Sequence, residues 1–384
     1  MSDTTRESTT RDPARELARE VLIHGPIARG ELGRRLGLSP ASLTRLSRPF
    51  LEHGILVEGQ ERQDGAVGRP VKPLDVRVDA QRMLGVKITG EHVFGVVTDL
   101  RATVGASATT RLAGHGVGDV LDGIQTLIDD LDAHDVAAIG ASIGGKVTGS
   151  SLVVRAPFLD WHDVDLGTAI EERFDRPATV ENDVVALTTA EQWFGHARGV
   201  DNFSVITIGA GVGYGLVVHG RQVITSDTGL GLGGHFPLDN TGPLCIDGHR
   251  GCSSAMLSIG SMCSSAGVGL GRSVEYDELL ALAVEGNAVA RQVVETSARA
   301  LGRLIAASAN LAMVDIVVLS GEGIGLVEVA DDVVRAAVDA DRDPDALPVQ
   351  IRRTDADFTS WARGAAAVAI ESGFGLIPRA SSLR

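Results

Sequence analysis

Cysteine is scarce, with three in 384 residues, so the chain has no disulfide framework to fold around. Aromatic residues make up only 4%, too thin a supply for a surface that stacks single-stranded nucleic acid. No apolar run reaches the roughly 18 residues that a membrane span requires, and residues 1–12 are polar, without the apolar region of a secretory leader. These absences point to a protein of the reducing cytoplasm with no membrane contact. Positive charge is also in deficit: 35 Lys and Arg against 50 Asp and Glu give a net charge of −15, which excludes a general polyanion binder. The deficit is uneven. Between Arg11 and Arg77 there are 12 basic against 9 acidic residues, a net of +3, leaving −18 for the rest. Nucleic-acid contact therefore belongs to the N-terminal segment. With 44% hydrophobic residues, the chain can bury two or three packed units.

The N-terminal segment reads as three short helices. Ala14–His24 places Leu17, Val21 and Leu22 on one face, and Arg29–Leu36 carries Leu32 and Leu36 before Gly37 breaks the chain. Ser39-Pro40 opens the third helix, because Ser caps free N–H groups and Pro is preset for the first helical position. Leu43, Leu46 and Phe50 share its inner face. Ser39, Ser42, Arg45 and Arg48 are left near its exposed start, suited to phosphates and base edges. Gly54–Glu58 then reads as a strand, residues 59–68 as a polar tip and Arg69–Arg77 as a returning extended segment. This is the order of a winged helix-turn-helix, with Arg69 between Gly68 and Pro70 placed to enter a minor groove. A plain three-helix bundle with an ordinary hairpin is the competing reading.

From Met83 onward short strands and helices alternate in two similar sets, which predicts a two-lobed α/β body. Strands are expected at Leu84–Ile88, Val93–Thr98, Val136–Ser142, Ala178–Val180, Phe203–Ile208, Leu216–Val218 and Ile316–Leu319. Helices are expected at Val120–Leu131, Leu166–Phe174, Asp183–Phe194, Tyr276–Val284, Ala288–Asn310 and Val329–Asp339. Gly209–Gly215 reads as a glycine-rich loop between two strands, able to offer backbone N–H groups to a phosphate. At Glu181-Asn182-Asp183 a strand ends and a helix begins; Asn182 and Asp183 suit hydroxyl recognition or general-base work, or simply a helix cap.

The densest chemistry lies between His235 and Cys252. His235, Cys245, Asp247 and Cys252 fall within 18 residues, and imidazole, thiolate and carboxylate are all admissible in a tetrahedral Zn²⁺ shell. His249 stands in for Asp247 if the loop shifts; a metal-free loop with ordinary thiols is the alternative.

These segments together resemble the ROK family of sugar-responsive repressors and sugar kinases. The resemblance runs from Arg15 to the C-terminus. It rests on Val180-Glu181-Asn182-Asp183, on Ile208-Gly209-Ala210-Gly211-Val212-Gly213-Tyr214-Gly215, and on Gly234-His235 followed by Cys245 and Gly251-Cys252. It implies an actin-like ATPase (ribonuclease H-like) fold: lobe 1 over 80–198 with a returning helix at 360–376, lobe 2 over 199–359, a winged helix-turn-helix over 13–79 and a disordered tail at 1–12. It also implies a sugar or sugar-phosphate effector held by Asn182, Asp183 and His235, with the second ring nitrogen of His235 facing the ligand.

Departures from the family pattern matter as much. The first phosphate motif of the kinases falls on Lys87-Ile88-Thr89-Gly90-Glu91-His92, where Lys87 cannot hold Mg²⁺ and Glu91 repels a triphosphate. The threonine of the second is Ala210. Two sugar-binding glutamates are replaced by Leu232 and Ser254, and the middle thiolate of the metal motif by Asp247. The expected protein is therefore no enzyme, with no use for ATP or Mg²⁺ and Asp183 a vestigial base. It is a sequence-specific transcription regulator, a repressor of carbohydrate metabolism. It would bind a double-stranded DNA operator as a homodimer or homotetramer, with a structural Zn²⁺. The alternatives are a glucokinase-like ATP-dependent sugar kinase carrying a DNA-binding domain, and a regulator whose signal is the metal.

Overall fold

A computed structural model describes residues 12–60, 72–355 and 357–373. Three helices come first, α1 (Pro13–His24), α2 (Arg29–Leu36) and α3 (Pro40–Glu52), followed by an antiparallel ribbon of β1 (Leu56–Glu58) and β2 (Leu74–Val76). Ser39 caps α3 as its sequence predicts, accepting a hydrogen bond from the Ser42 N–H at 3.2 Å. Leu43 and Phe50 are buried and Leu46 is half-buried on the inner face. The tip between the ribbon strands, with Gly68, Arg69 and Pro70, lies outside the described residues, as does the 1–11 tail.

The first lobe opens with the meander β3 (Met83–Ile88), β4 (His92–Thr98) and β5 (Val104–Arg111). Helix α4 (Val117–Asp130) crosses to β6 (Ala138–Ile143), parallel to β3. A side sheet of β7 (Lys146–Thr148), β8 (Leu152–Ala156) and β9 (Trp161–Asp165), then α5 (Leu166–Phe174), leads to β10 (Ala178–Asn182) beside β6. Helix α6 (Asp183–Trp193) passes to the second lobe, where β11 (Phe203–Ile208), β12 (Val212–Val218) and β13 (Arg221–Gln222) lie antiparallel. After α7 (Ser253–Leu257), α8 (Ile259–Leu270), α9 (Tyr276–Val284) and α10 (Ala288–Ala312) come β14 (Ile316–Ser320), α11 (Gly325–Ala340) and β15 (Gln350–Arg353). The main sheets run β10-β6-β3-β4-β5 and β13-β12-β11-β14-β15. This is the two-lobed α/β body expected from the alternation of elements.

The last helix, α12 (Phe358–Gly373), returns to the first lobe and sits deep. Its Ala362, Ala365, Ala366 and Ala369 are fully buried, and glycine on the facing strands lets backbone meet backbone. A Cβ on Gly140 of β6 would lie 1.9 Å from the Ala365 carbonyl oxygen, and one on Gly85 of β3 would lie 2.1 Å from that of Ala362. On its other side Gly364 meets α6, where a Cβ would come within 2.8 Å of the Leu187 nitrogen. The core of the N-terminal unit continues into this packing: Leu17, Leu22, Leu32, Leu56 and Leu74 share one cluster with Met83, Trp193, Ala366 and Ile370. No helix among the described residues is long and apolar enough to cross a membrane.

Candidate functional site: a buried ion pair and a His–Cys loop

The first cluster is built where β10 ends and α6 begins. Asn182 is buried at the helix start, and its Oδ1 accepts from the Val184 and Val185 N–H groups at 3.0 and 3.2 Å. Its Nδ2 donates to the Gly145 carbonyl at 2.8 Å. The cap and the site residue are thus one side chain, left with a single free N–H. Asp183 follows, accepting from the Val184 N–H at 2.9 Å through Oδ1 and pairing through Oδ2 with the Lys87 ammonium. The two paired side chains are only 15% and 7% exposed. Lys87 comes from the all-buried strand β3, and its Nζ also lies 5.0 Å from the Trp361 ring centre. Glu322, after β14 in the other lobe, shares this field: burial pushes its carboxyl pKa up, nearby Lys87 opposes that and Asp183 reinforces it. Opposite Lys87 in the sheet register, Ser142 buries a hydroxyl with no partner among the described residues.

The glycine-rich run is shorter as a loop than its sequence suggests. Only Gly209-Ala210-Gly211 turns; Val212–Gly215 already belong to β12. Gly213 and Gly215 are required by packing, since a Cβ on either would come within 2.5 Å of Val184 or Thr188 on α6. Beside the turn, a Cβ on Gly209 would lie 2.5 Å from the Glu322 carboxylate. A carboxylate there repels a phosphate, as does the exposed Glu91 in the turn after β3. The run is therefore chiefly a helix-to-sheet contact.

The second cluster is the loop between β13 and α7. His235 Nδ1 lies 3.9 Å from both Cys245 Sγ and Cys252 Sγ, and the ligand atoms of these three residues all lie within 4.8 Å of one another. Asp247 does not join them: its Oδ2 faces the other ring nitrogen of His235, Nε2, at 3.5 Å. His249 does approach, with Nδ1 3.1 Å from His235 Nδ1 and 3.6 Å from Cys245 Sγ. Glycine shapes the loop at Gly251, whose φ of +56° and approach to Asp239, with a Cβ only 1.6 Å from the carbonyl oxygen, admit no side chain. Burial raises the pKa of Cys252. At Cys245 burial acts the same way, but the N–H groups of His249 and Asp247 outweigh it and the pKa falls. Among the described residues no hydrogen bond joins His235 to Asn182 or Asp183, and its Nε2 faces Asp247. Leu232 is exposed in the turn that leads into His235, and Ser254 is half-buried in α7.

A family model described as the ROK family matches residues 83–372, which takes in most of both lobes. The chain belongs to the ROK family. Among curated ROK relatives, the DNA-binding transcriptional repressor Mlc of Escherichia coli (strain K12) is 28% identical over 304 residues, covering 75% of each chain. A ROK family transcriptional regulator, a homologue of the E. coli Mlc protein, shares the fold with a TM-score of 0.77 at 22% identity, over 95% of this chain and 98% of that one. A ROK glucokinase from Streptomyces griseus, solved with glucose and AMPPNP, aligns with a TM-score of 0.65 at 24% identity, over 75% of this chain and 99% of that one. The two-lobed actin-like body is therefore common to regulator and kinase, and the regulator covers more of this chain than the kinase does.

On that unit of this ROK protein, Ser39 and Arg45 are exposed and Ser42 half-buried. The Ser39 hydroxyl is engaged with the Ser42 N–H and lies 3.0 Å from the Ser42 Oγ. Arg48 is held by Glu52 one turn on, at 2.7 Å. What sequence reasoning missed is the seam to the body. Arg19 of α1 lies over the Trp193 ring at 5.1 Å; Arg198 Nε donates to the Ile23 carbonyl at 2.6 Å; Arg101 donates to the Gly25 carbonyl at 2.9 Å. The one available sign was Trp193, a large aromatic ending a helix in a chain with few.

Proposed function

We propose that this ROK protein is a sequence-specific DNA-binding repressor of carbohydrate metabolism genes, relieved by a sugar or sugar phosphate, and that it has lost kinase chemistry. The observation that carries the reading is the Lys87–Asp183 pair. A hexose kinase needs its carboxylate free to take a hydroxyl proton and a carboxylate, not an ammonium, to hold Mg²⁺. Here the cation is internal and permanent, and Ala210, Glu91 and Glu322 offer nothing to a triphosphate. The curated relatives named as repressors support the same reading.

The DNA-reading unit would be residues 13–79, with Ser39, Ser42, Arg45 and Arg48 at the start of α3 and Arg69 at the wing. Two copies would place two such units on adjacent half-sites, so we assign a homodimer or homotetramer acting in the cytoplasm. Coupling would run along α6. Asn182 and Asp183 sit at its start, Trp193 at its end beneath Arg19 of the DNA-reading unit. Eleven residues span roughly 16 Å at about 1.5 Å each. A ligand that pulls on the Lys87–Asp183 pair would thus tilt α1.

Zn²⁺ suits the loop by donor chemistry: one imidazole and two thiols converge from residues far apart in the loop. When bound, the ion would supply a crosslink between the His235 and Cys252 ends. Around it, His235 and both cysteines would fix the loop's path into α7.

The reading is tested by footprinting full-length protein at physiological salt on DNA upstream of its own gene, with and without a panel of sugars and phosphosugars. A protected site released by one sugar, with no ADP formed from ATP, supports it. Sugar-dependent ADP release that disappears in D183N overturns it.

A further inference from the structure

We infer that His249, not Asp247, supplies the fourth ligand of the loop's metal site, and that Asp247 acts from outside the shell by orienting His235. This rests on the zinc reading and goes further, since the position where a thiolate would stand is held by Asp247. Backbone geometry decides which side chain reaches. Leu244 and Arg250 form an antiparallel bridge, and the Cys245 N–H donates to the His249 carbonyl at 2.9 Å. Cys245 and His249 are therefore opposite residues of a small hairpin, and opposite residues project to the same side. Gly248, with φ +85°, and its N–H bond to the Cys245 carbonyl at 3.0 Å close the turn. Asp247 sits within that turn and departs toward the other edge of the His235 ring.

The distances agree with this division. With Zn–N of about 2.0–2.1 Å and Zn–S of about 2.3 Å, a tetrahedral shell has N···N edges of about 3.4 Å and N···S edges of about 3.6 Å. His249 Nδ1 is 3.1 Å from His235 Nδ1 and 3.6 Å from Cys245 Sγ. His235 Nδ1 is 3.9 Å from each sulfur. Two ring nitrogens and Cys245 thus stand near tetrahedral spacing; Cys252 groups with His235 and Cys245 within 4.8 Å, and the His249 ring closes the shell by moving towards Cys252. Asp247 meets Nε2 of His235, on the opposite side of the ring, at 3.5 Å. One ion cannot be shared by Nδ1 and a carboxylate on the far side of the same imidazole. A carboxylate in that place instead keeps the proton on Nε2 and leaves the Nδ1 lone pair for the metal. Two thiolates and two neutral imidazoles also balance a dication without Asp247.

Full-length protein stripped of metal is titrated with Co²⁺, following the thiolate charge-transfer and visible d–d bands, and with Zn²⁺ against a competing chelator. The wild type should bind one Co²⁺ with tetrahedral d–d bands. H249A should lose those bands and weaken Zn²⁺ by more than about 100-fold, whereas D247N should keep them and weaken Zn²⁺ by about 10–100-fold at most. H249C should keep tetrahedral coordination with a stronger charge-transfer band, which shows that the loop still folds when position 249 is changed. Loss of the bands in D247N with retention in H249A overturns the inference, as does retention in both. A wild type that takes up neither ion overturns the zinc reading itself.

Discussion

At the junction of β10 and α6, Lys87 and Asp183 bring opposite charges together with side chains 7% and 15% exposed. In the loop, His235 and Asp247 are 33% and 57% exposed, and the groups that converge there are lone-pair donors, one imidazole and two thiols, with the His249 ring beside His235 and Cys245. A buried ion pair satisfies itself and requires nothing from solution, because each charge is the other's counter-ion at low dielectric. Thiols and imidazoles can share protons among themselves, and a metal cation can take the place of those protons. One family scaffold thus carries a cluster that neutralises itself and another whose donor set could hold a metal ion. The lesson is that charge complementarity inside a cluster, and not its residue inventory, separates a cluster that has no use for a metal cation from one whose donors could hold it.

The sharpest way to break this contrast is to remove one half of the ion pair. Lys87→Ala leaves a nearly buried carboxylate unpaired and should cost about 3–5 kcal/mol in urea denaturation, whereas K87M/D183N, which removes both charges, should recover most of it. Equal losses in the two variants would mean that Lys87 serves packing against Trp361 and not the pair. Chelation is the matching test of the loop: Zn²⁺ at about 100 times its Kd should add about 2.7 kcal/mol to stability, and a chelator should remove that gain while leaving the K87M/D183N difference unchanged. If the chelator changed that difference, the two clusters would be coupled and the contrast lost.

A weaker effect is expected at the seam. Arg19→Ala removes a cation–π contact worth about 0.5–2 kcal/mol. It should leave sugar affinity, measured by calorimetry, unchanged while reducing the release of DNA by sugar; full release would exclude α6 as the route. The smallest stability effect belongs to Arg48→Ala, whose side chain is 75% exposed and paired with Glu52. Stability should not change measurably, but DNA affinity should fall and the salt dependence of binding lose about one phosphate's worth of slope.

How far the sequence could be read depended on whether the signal was local. The helices Arg29–Leu36, Leu166–Phe174 and Tyr276–Val284 were predicted with the bounds the structure has, because apolar periodicity and caps are written within ten residues. Helix α8 was not foreseen: Ile-Gly-Ser-Met-Cys-Ser-Ser-Ala-Gly-Val-Gly-Leu carries three glycines, and glycine disfavours helix unless tertiary packing holds it. Strand β5 has little apolar content and one bulge, and the side sheet β7-β8-β9 is made of strands of three to five residues, too short for alternation to register. In the glycine run, the motif announced a phosphate loop while two of its glycines answer to α6.

The sequence by itself determined the charge asymmetry, the helical unit with its Ser39 cap, the alternating body and the residues that could bind metal or sugar hydroxyls. Those properties depend on neighbours along the chain. Only the tertiary structure decided that Lys87 neutralises Asp183 across 96 positions, that Trp193 lies under Arg19, and that Asp247 and His249 go to different nitrogens of His235. Which donor faces which acceptor is set by strand register and turn geometry, and residues two apart in a tight turn can leave it in opposite directions.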